Sequence, residues 1–288
     1  MNDYVIFADS GCDLPQELFD EWQVETIDLL FRREGDAREY RQSDMATADF
    51  YQLMREGTVF RTAAANEDSI RSAFVPKLEA GLDILYVCFG SGLSGTVGTA
   101  KLTAQKLMLE YPGRKITVID TLCASGGHGL ILYYAVMAKR NGASIDDAEI
   151  AVLEKRPHLC HWFTVDDLVY LKRGGRVGAA AAFFGGVLNI KPVLHVDDDG
   201  HLIPVKKVRG RHNSIKAIAK EYAETALDPE HGVYFISHGD CMEDAKRLEE
   251  MIAEQFGNRA TYITDIGPVI GAHSGPGTLA LFFLGEKR

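Results

Sequence analysis

Ile84-Leu85-Tyr86-Val87-Cys88-Phe89, followed by Gly90-Ser91-Gly92-Leu93-Ser94-Gly95-Thr96, is the stretch on which the fold turns. Six apolar or aromatic residues bounded by glycine read as a strand buried on both faces, the kind found in parallel sheets. The glycine and serine loop then opens a helix whose face carries Val97, Ala100, Ala104 and Leu107. Outward from there the same alternation repeats. Val5–Ala8 is a strand ending at Asp9-Ser10-Gly11, and Ile116–Ile119 is another, closed by Asp120-Thr121. Phe50, Leu53 and Met54 mark a helical face with Thr47 as its expected N-cap. Ile70, Phe74 and Leu78 mark a second, in which Pro76 predicts a kink or an early end. A further helix should stop near Asn141-Gly142, and Ser144-x-x-Asp147 resembles the start of the next.

The second half changes character. Pro192–Val196, Asp197-Asp198-Asp199-Gly200 and Leu202–Val208 predict an antiparallel hairpin. A helix near Ser214–Ala226 precedes strands at Val233–Ile236 and Thr261–Ile266, with a helix between them. A glycine-rich loop, Gly267–Gly277, leads into a last apolar run, Leu279–Leu284. The fold class expected is α/β: a mostly parallel α/β/α domain over residues 1–160, then an α/β domain with a mixed or antiparallel sheet over 161–288.

A chain of 288 residues with 46% hydrophobic and 25% charged residues can bury a large core without staples. Its net charge of -10 argues against general affinity for nucleic acid or anionic lipid surfaces. Lys206, Lys207, Arg209 and Arg211 form a local basic run. The five cysteines are odd in number, widely spaced and lack a CxxC pair, which fits a reducing, cytoplasmic setting. His158, Cys160 and His161 form a short cluster of metal-ligand types, with no second group nearby in sequence, and no metal is expected. Neither a signal peptide nor an apolar run of the ~20 residues needed to span a bilayer is expected.

Chemistry concentrates at Gly90–Thr96. A helix start after a strand offers unpaired backbone N–H groups and the positive end of the helix dipole to an anion. Ser94 adds a hydroxyl there, which can equally be a plain cap. The same stretch spells GxGxxG through Gly90, Gly92 and Gly95, and Asp120 ends the next strand as a ribose-binding acid would. A dinucleotide-binding oxidoreductase is therefore the alternative reading. No serine has the GxSxG elbow of a hydrolase, and no P-loop or kinase motif occurs. Asp9, Ser10 and Asp13 stand at a strand's C-terminal end, where ligands of α/β sheets lie, and are second-line candidates.

Taken in order, Asp9-Ser-Gly-Cys-Asp13-Leu-Pro15, Thr62, Leu93-Ser94-Gly95-Thr96, Asp120-Thr121, Gly174-Gly175-Arg176-Val177, Lys191-Pro192, Arg209 with Arg211, and Gly271-Ala-His273-Ser-Gly275-Pro-Gly277 form a series over residues 4–284. That series resembles the DegV family, whose members bind fatty acids and include lipid-carrying subunits of bacterial fatty acid kinase. The resemblance implies that Thr62 and Ser94 hydrogen-bond a fatty acid carboxylate, with Arg176 and His273 at the same polar end. It implies that Arg209 or Arg211 meets a separate kinase subunit for acyl-phosphate formation, so that the chain is a lipid-binding protein and not itself an enzyme. The only ligand implied is the fatty acid, with no cofactor. Three departures stand out: Thr62 is followed by Ala63-Ala64-Ala65-Asn66 where the family has Ser-Gln-Pro-Ser, Gly90 replaces a serine, and Thr121 replaces a serine.

Elementary energetics are consistent with a clamp and a tail. Burying ~14 methylenes contributes at most roughly 11 kcal/mol at ~0.8 each. Association costs on the order of 4–15 kcal/mol. A carboxylate buried without partners would be prohibitive, so the head group needs charge-assisted hydrogen bonds of ~1.5–3 kcal/mol each.

Overall fold

A computed structural model describes residues 3–176 and 189–288. Val177, the last residue of the Gly174–Val177 motif, lies outside the described residues. Strand β1 (Tyr4–Asp9) is buried along its whole length and leads into helix α1 (Gln16–Trp22). Strand β2 (Val24–Ile27) returns beside it, and β3 (Leu30–Arg33) starts a small antiparallel ribbon. Helix α2 (Thr47–Arg55) follows; Phe50 N–H bonds the Ala46 carbonyl, so Ala46 and not Thr47 occupies the N-cap position. The ribbon closes with β4 (Phe60–Ala63), which carries Thr62.

Helix α3 (Glu67–Glu79) continues for three residues past Pro76 before it ends, so the proline falls in its last turn. Proline removes one hydrogen bond near the helix end, while Ile70, Phe74 and Leu78 hold the same face in the core on either side of it. Strand β5 (Asp83–Cys88), helix α4 (Thr96–Glu110) and β6 (Ile116–Asp120) fall where periodicity placed them. Helix α5 (Ser125–Arg140) ends at Asn141, and α6 (Ile145–Lys155) begins under the Ser144 hydroxyl, which accepts from Asp147 N–H.

Beyond α6 come β7 (Leu159–Thr164), the short helix α7 (Val169–Gly174), and the hairpin β8 (Ile190–Val196) and β9 (Leu202–Arg209). Then follow α8 (Arg211–Thr225), β10 (Tyr234–His238), α9 (Met242–Phe256) and β11 (Tyr262–Asp265). Helix α10 (Pro268–Ser274) occupies most of the stretch read as a glycine-rich loop, and β12 (Leu279–Leu284) ends the described fold. Proline at the first helical position is compatible with a helix because its missing N–H has no partner there anyway.

The first sheet has the order β2-β1-β5-β6 and is parallel throughout. The second has the order β11-β10-β12-β7-β8-β9 and is antiparallel except between β10 and β11. This matches the expected fold class. Helix α5 lies between the sheets, with Leu130, Ile131, Leu132 and Ala135 packed against Leu85 and Val87 on one side and Phe235 and Phe282 on the other. Its glycine-rich first turn lets it approach the second sheet closely. Among the described residues no helix is long and apolar enough to cross a membrane.

Candidate functional site

A cavity lined by residues of both sheets opens between them. Loops at the C-terminal ends of β5 and β6 form one wall through Phe89, Leu93, Ala124 and Ser125. The second sheet contributes a strand face, with His161, Phe163 and Ala280. Helix α10 forms a third side through Val269, Ile270 and His273. Ala63 and Ala64, both solvent-exposed, border the cavity beside Thr62 and mark its mouth.

The four residues expected at the head group all border this cavity. Thr62 Oγ1 and His273 Nε2 are 2.8 Å apart, joined across 211 residues of sequence. Burial, with the charges of Arg176 and Arg61 adding to it, pushes the His273 imidazole down to about 4, so it is neutral at physiological pH. Gly174 has to be glycine here, because a Cβ would sit 2.3 Å from His273 Nδ1. Ser94 Oγ lies 2.9 Å from Thr96 Oγ1, which in turn accepts from Ala65 N–H at 3.3 Å. Ser94 is thus tied to the β4 side of the cavity as well as to its own helix. Arg176 donates from Nε to the Leu93 carbonyl and from Nη1 to the Gly174 carbonyl. Burial lowers its pKa from the ordinary guanidinium value, which leaves it cationic at neutral pH. The positive charge among these four residues is therefore carried by Arg176.

The alternative dinucleotide reading finds no support. A Cβ on Gly90 would lie 2.7 Å from the Cys123 backbone N, and one on Gly92 would lie 2.5 Å from the Gly200 carbonyl oxygen. These glycines make room for neighbouring backbone. Asp120 Oδ1 is occupied by the Ser91 and Leu122 N–H groups, which fixes the loop. A nucleophile–base pair is not formed either, since His273 meets Thr62 and not Ser94.

The second-line residues are structural. Asp9 is fully buried and accepts from Phe89 and Gly11 N–H, Ser10 Oγ accepts from Leu29 N–H, and Asp13 Oδ1 accepts from Gly267 N–H. The His158–His161 cluster is split by strand alternation: Cys160 Sγ faces the Lys287 carbonyl, whereas His161 points into the cavity. Among the described residues no three potential metal ligands of His, Cys, Asp or Glu come together. In the basic run, Arg211 pairs with Asp244 at 2.8 Å and Lys206 pairs with Glu221. Arg209 is exposed.

Sequence reading missed the strand face and α10 as walls of the site. The alternation Leu159-Cys-His-Trp-Phe-Thr164 and the Gly267-Pro268 helix start were the signals available.

Two sheets enclosing an apolar cavity that ends in hydroxyl, imidazole and guanidinium groups define an α/β binding-protein architecture. The chain belongs to the DegV family, a family described as uncharacterised, whose model matches residues 3–286. It is similar to a DegV domain-containing protein of Clostridium perfringens, 40% identical over 291 residues, covering 100% of this chain and 99% of the relative. Among solved structures it is similar to a DegV family protein from Thermus thermophilus described as binding fatty acid. That match has a TM-score of 0.89 and 28% identity, and covers 99% of this chain and 100% of the other. A Thermotoga maritima protein, whose structure is described as revealing a fatty acid binding function, matches with a TM-score of 0.84 and 26% identity over 99% and 100% of the two chains.

Proposed function

We propose that this chain binds a long-chain fatty acid, its carboxylate held at the mouth by Thr62, Ser94, Arg176 and His273 and its tail in the apolar interior. The observation that carries this reading is the placement of all four predicted residues on one apolar cavity, with Thr62 and His273 in hydrogen-bond contact. Fatty acid binding in the Thermus and Thermotoga relatives supports it. Arg176 supplies the charge, and the hydroxyls with neutral His273 supply hydrogen bonds of fixed direction.

The division of labour follows the chain. Residues 1–160 bring Thr62 and Ser94 to the clamp, and residues 161–288 bring Arg176, His273 and the strand face that covers the tail. Helix α10 crosses back to pack Val269 and Ala272 into the first unit's outer core. The further step is presentation of the carboxylate to a separate kinase subunit in the cytoplasm. Arg209, exposed at the end of an edge strand, suits the contact better than Arg211, which is engaged with Asp244.

Native mass spectrometry of the purified protein should show a bound acid of fatty acid mass. Lipid-free protein with no saturable palmitate or stearate binding removes the reading. Thr62→Ala combined with Ser94→Ala should weaken binding of acids more than of the corresponding methyl esters. Tight saturable NADH binding would favour the dinucleotide alternative.

A further inference from the structure

The turn of the β8–β9 hairpin reaches across to the loop that carries Ser94. A Cβ on Gly92 would fall 2.5 Å from the Gly200 carbonyl oxygen and 2.8 Å from that of Asp199, so two backbones meet directly. On its other side the turn rests on Leu122, 3.4 Å from where a Gly200 Cβ would stand. One oxygen of Asp120 organises both supports, accepting from Ser91 and Leu122 N–H. The seat is therefore fixed to the first sheet. Leu93, next to Gly92, and Leu202, two residues after Gly200, both border the cavity. Here the cavity wall is closed by contact between the two units.

That contact is of a kind that can part. Among the described residues no hydrogen bond or ion pair joins residues 197–202 to residues 89–96. The turn is stiff in itself: Asp197 Oδ1 accepts from Asp199 and His201 N–H, and Asp197 N–H bonds the His201 carbonyl. Its root is not. Strand β8 pairs with β7 through Val193, Leu194 and His195, and β9 is the edge strand of the sheet. At that level the ladder carries an extra residue: Val193 pairs with Lys206 and Leu194 with Pro204, which leaves Val205 over. A bulge bends its strand, and Pro204 has no N–H to give, so the hairpin flexes most easily there.

Beyond His195 the hairpin has only itself as a strand partner. Val196, fully buried, and half-buried Leu202 hold the tip down by apolar contact, so the shut form is the major one. An apolar tail threading lengthwise past Thr62, Arg176 and His273 would have to cross the polar end first. A wall that parts beside Ser94 lets the tail enter sideways.

We propose that the hairpin tip, residues 196–202, is a strap that swings off the Gly92 loop to admit and release the acyl chain, carrying Leu202 out of the cavity wall. The proposal rests on the fatty acid reading and adds the route of exchange. A stiff tip, a flexible root and a contact made of packing alone are the parts such a closure needs.

The test is stopped-flow fluorescence of delipidated protein with cis-parinaric acid, a fluorescent long-chain polyene acid, followed by its displacement with excess oleate. Gly92→Ala sets a methyl group against the Gly200 carbonyl and props the strap, and Gly92 is outside the left-handed region, so alanine adds no backbone strain. Association and dissociation rate constants should both rise about tenfold, the rate equivalent of an overpacking clash relieved on opening, with Kd nearly unchanged. Asp197→Ala loosens the turn without touching the cavity and should raise both by a smaller common factor, which keeps the test decisive should Gly92→Ala fail to fold. Gly98→Ala, whose Cβ would meet nothing within 4 Å, should change neither rate. If the variants raise dissociation alone, the contact positions the Ser94 loop and does not gate; if folded variants leave both rates as they were, the chain exchanges elsewhere. Either result overturns the strap while fatty acid binding stands. If the wild-type protein binds neither parinaric acid nor oleate, the fatty acid reading falls and takes this proposal with it.

Discussion

The two sheets border one cavity in different ways. The parallel sheet meets it with loops at its strand ends, where Phe89–Gly95 and Ala124–Ser125 offer backbone and hydroxyl groups. The mixed sheet meets it with a strand face, where Phe163 and Ala280 are also members of the protein's core. A loop side chain can change without disturbing the sheet beneath it. A face side chain cannot, because the same atoms hold the fold together and line the ligand. Recognition of the head group and retention of the tail are therefore separable by mutation in one direction only.

The largest expected effect is at the face. Phe163→Ala should cost about 3 kcal/mol of stability, at the low end for such truncations because one side of the ring already borders open space. Thermal or chemical denaturation measures it, and ligand affinity should fall alongside. Wild-type stability in the Phe163→Ala protein would show that the face is not shared between core and site. Next comes the guanidinium. Arg176→Gln should weaken acid binding by about 10–100-fold, the worth of a hydrogen bond to a charged group, and leave methyl esters nearly unaffected. Its stability cost should be only about 1 kcal/mol, from the bonds to the Leu93 and Gly174 carbonyls. Equal losses for acid and ester would mean that Arg176 shapes the cavity rather than pairing with a charge.

The same contrast explains what was legible in the sequence. The β5–α4 loop could be read because its signals are local: an apolar run, glycines, then a helical period. Parallel and antiparallel halves were legible for the same reason. The Thr62–His273 contact spans 211 residues, and no periodicity links its partners; only the family resemblance put them together. His161 was read with its chain neighbours as part of a metal-ligand cluster, although a strand sends adjacent side chains to opposite faces. Helix α10 was hidden by its glycines and serine, and its helical form follows from Tyr51 binding the Ile266 carbonyl at 2.9 Å and Asp13 binding the Gly267 N–H. Both anchors lie far away in sequence. What stayed unread was the geometry that tertiary contacts impose on weak local preferences.

The smallest effect is a pH dependence that separates His273 from its surroundings. In the unfolded chain a histidine titrates near 6.5, whereas burial holds His273 down to about 4 in the folded protein. Between those values the unfolded state binds the extra proton. His273 therefore lowers stability progressively as pH falls from about 6.5 to 4, and has no such effect above 7. His161 and His195 are depressed as well, so the wild-type profile alone does not isolate the residue. The difference between wild type and His273→Asn does. If the wild type is the more stable protein at pH 7.5, its advantage should shrink steadily toward pH 4.5, as read by denaturant midpoints at each pH. Saturating fatty acid should blunt that slope, because a carboxylate beside the imidazole favours its charged form and raises its pKa. A slope unchanged by ligand would place the carboxylate away from His273 and break the assignment of the mouth as the charged end.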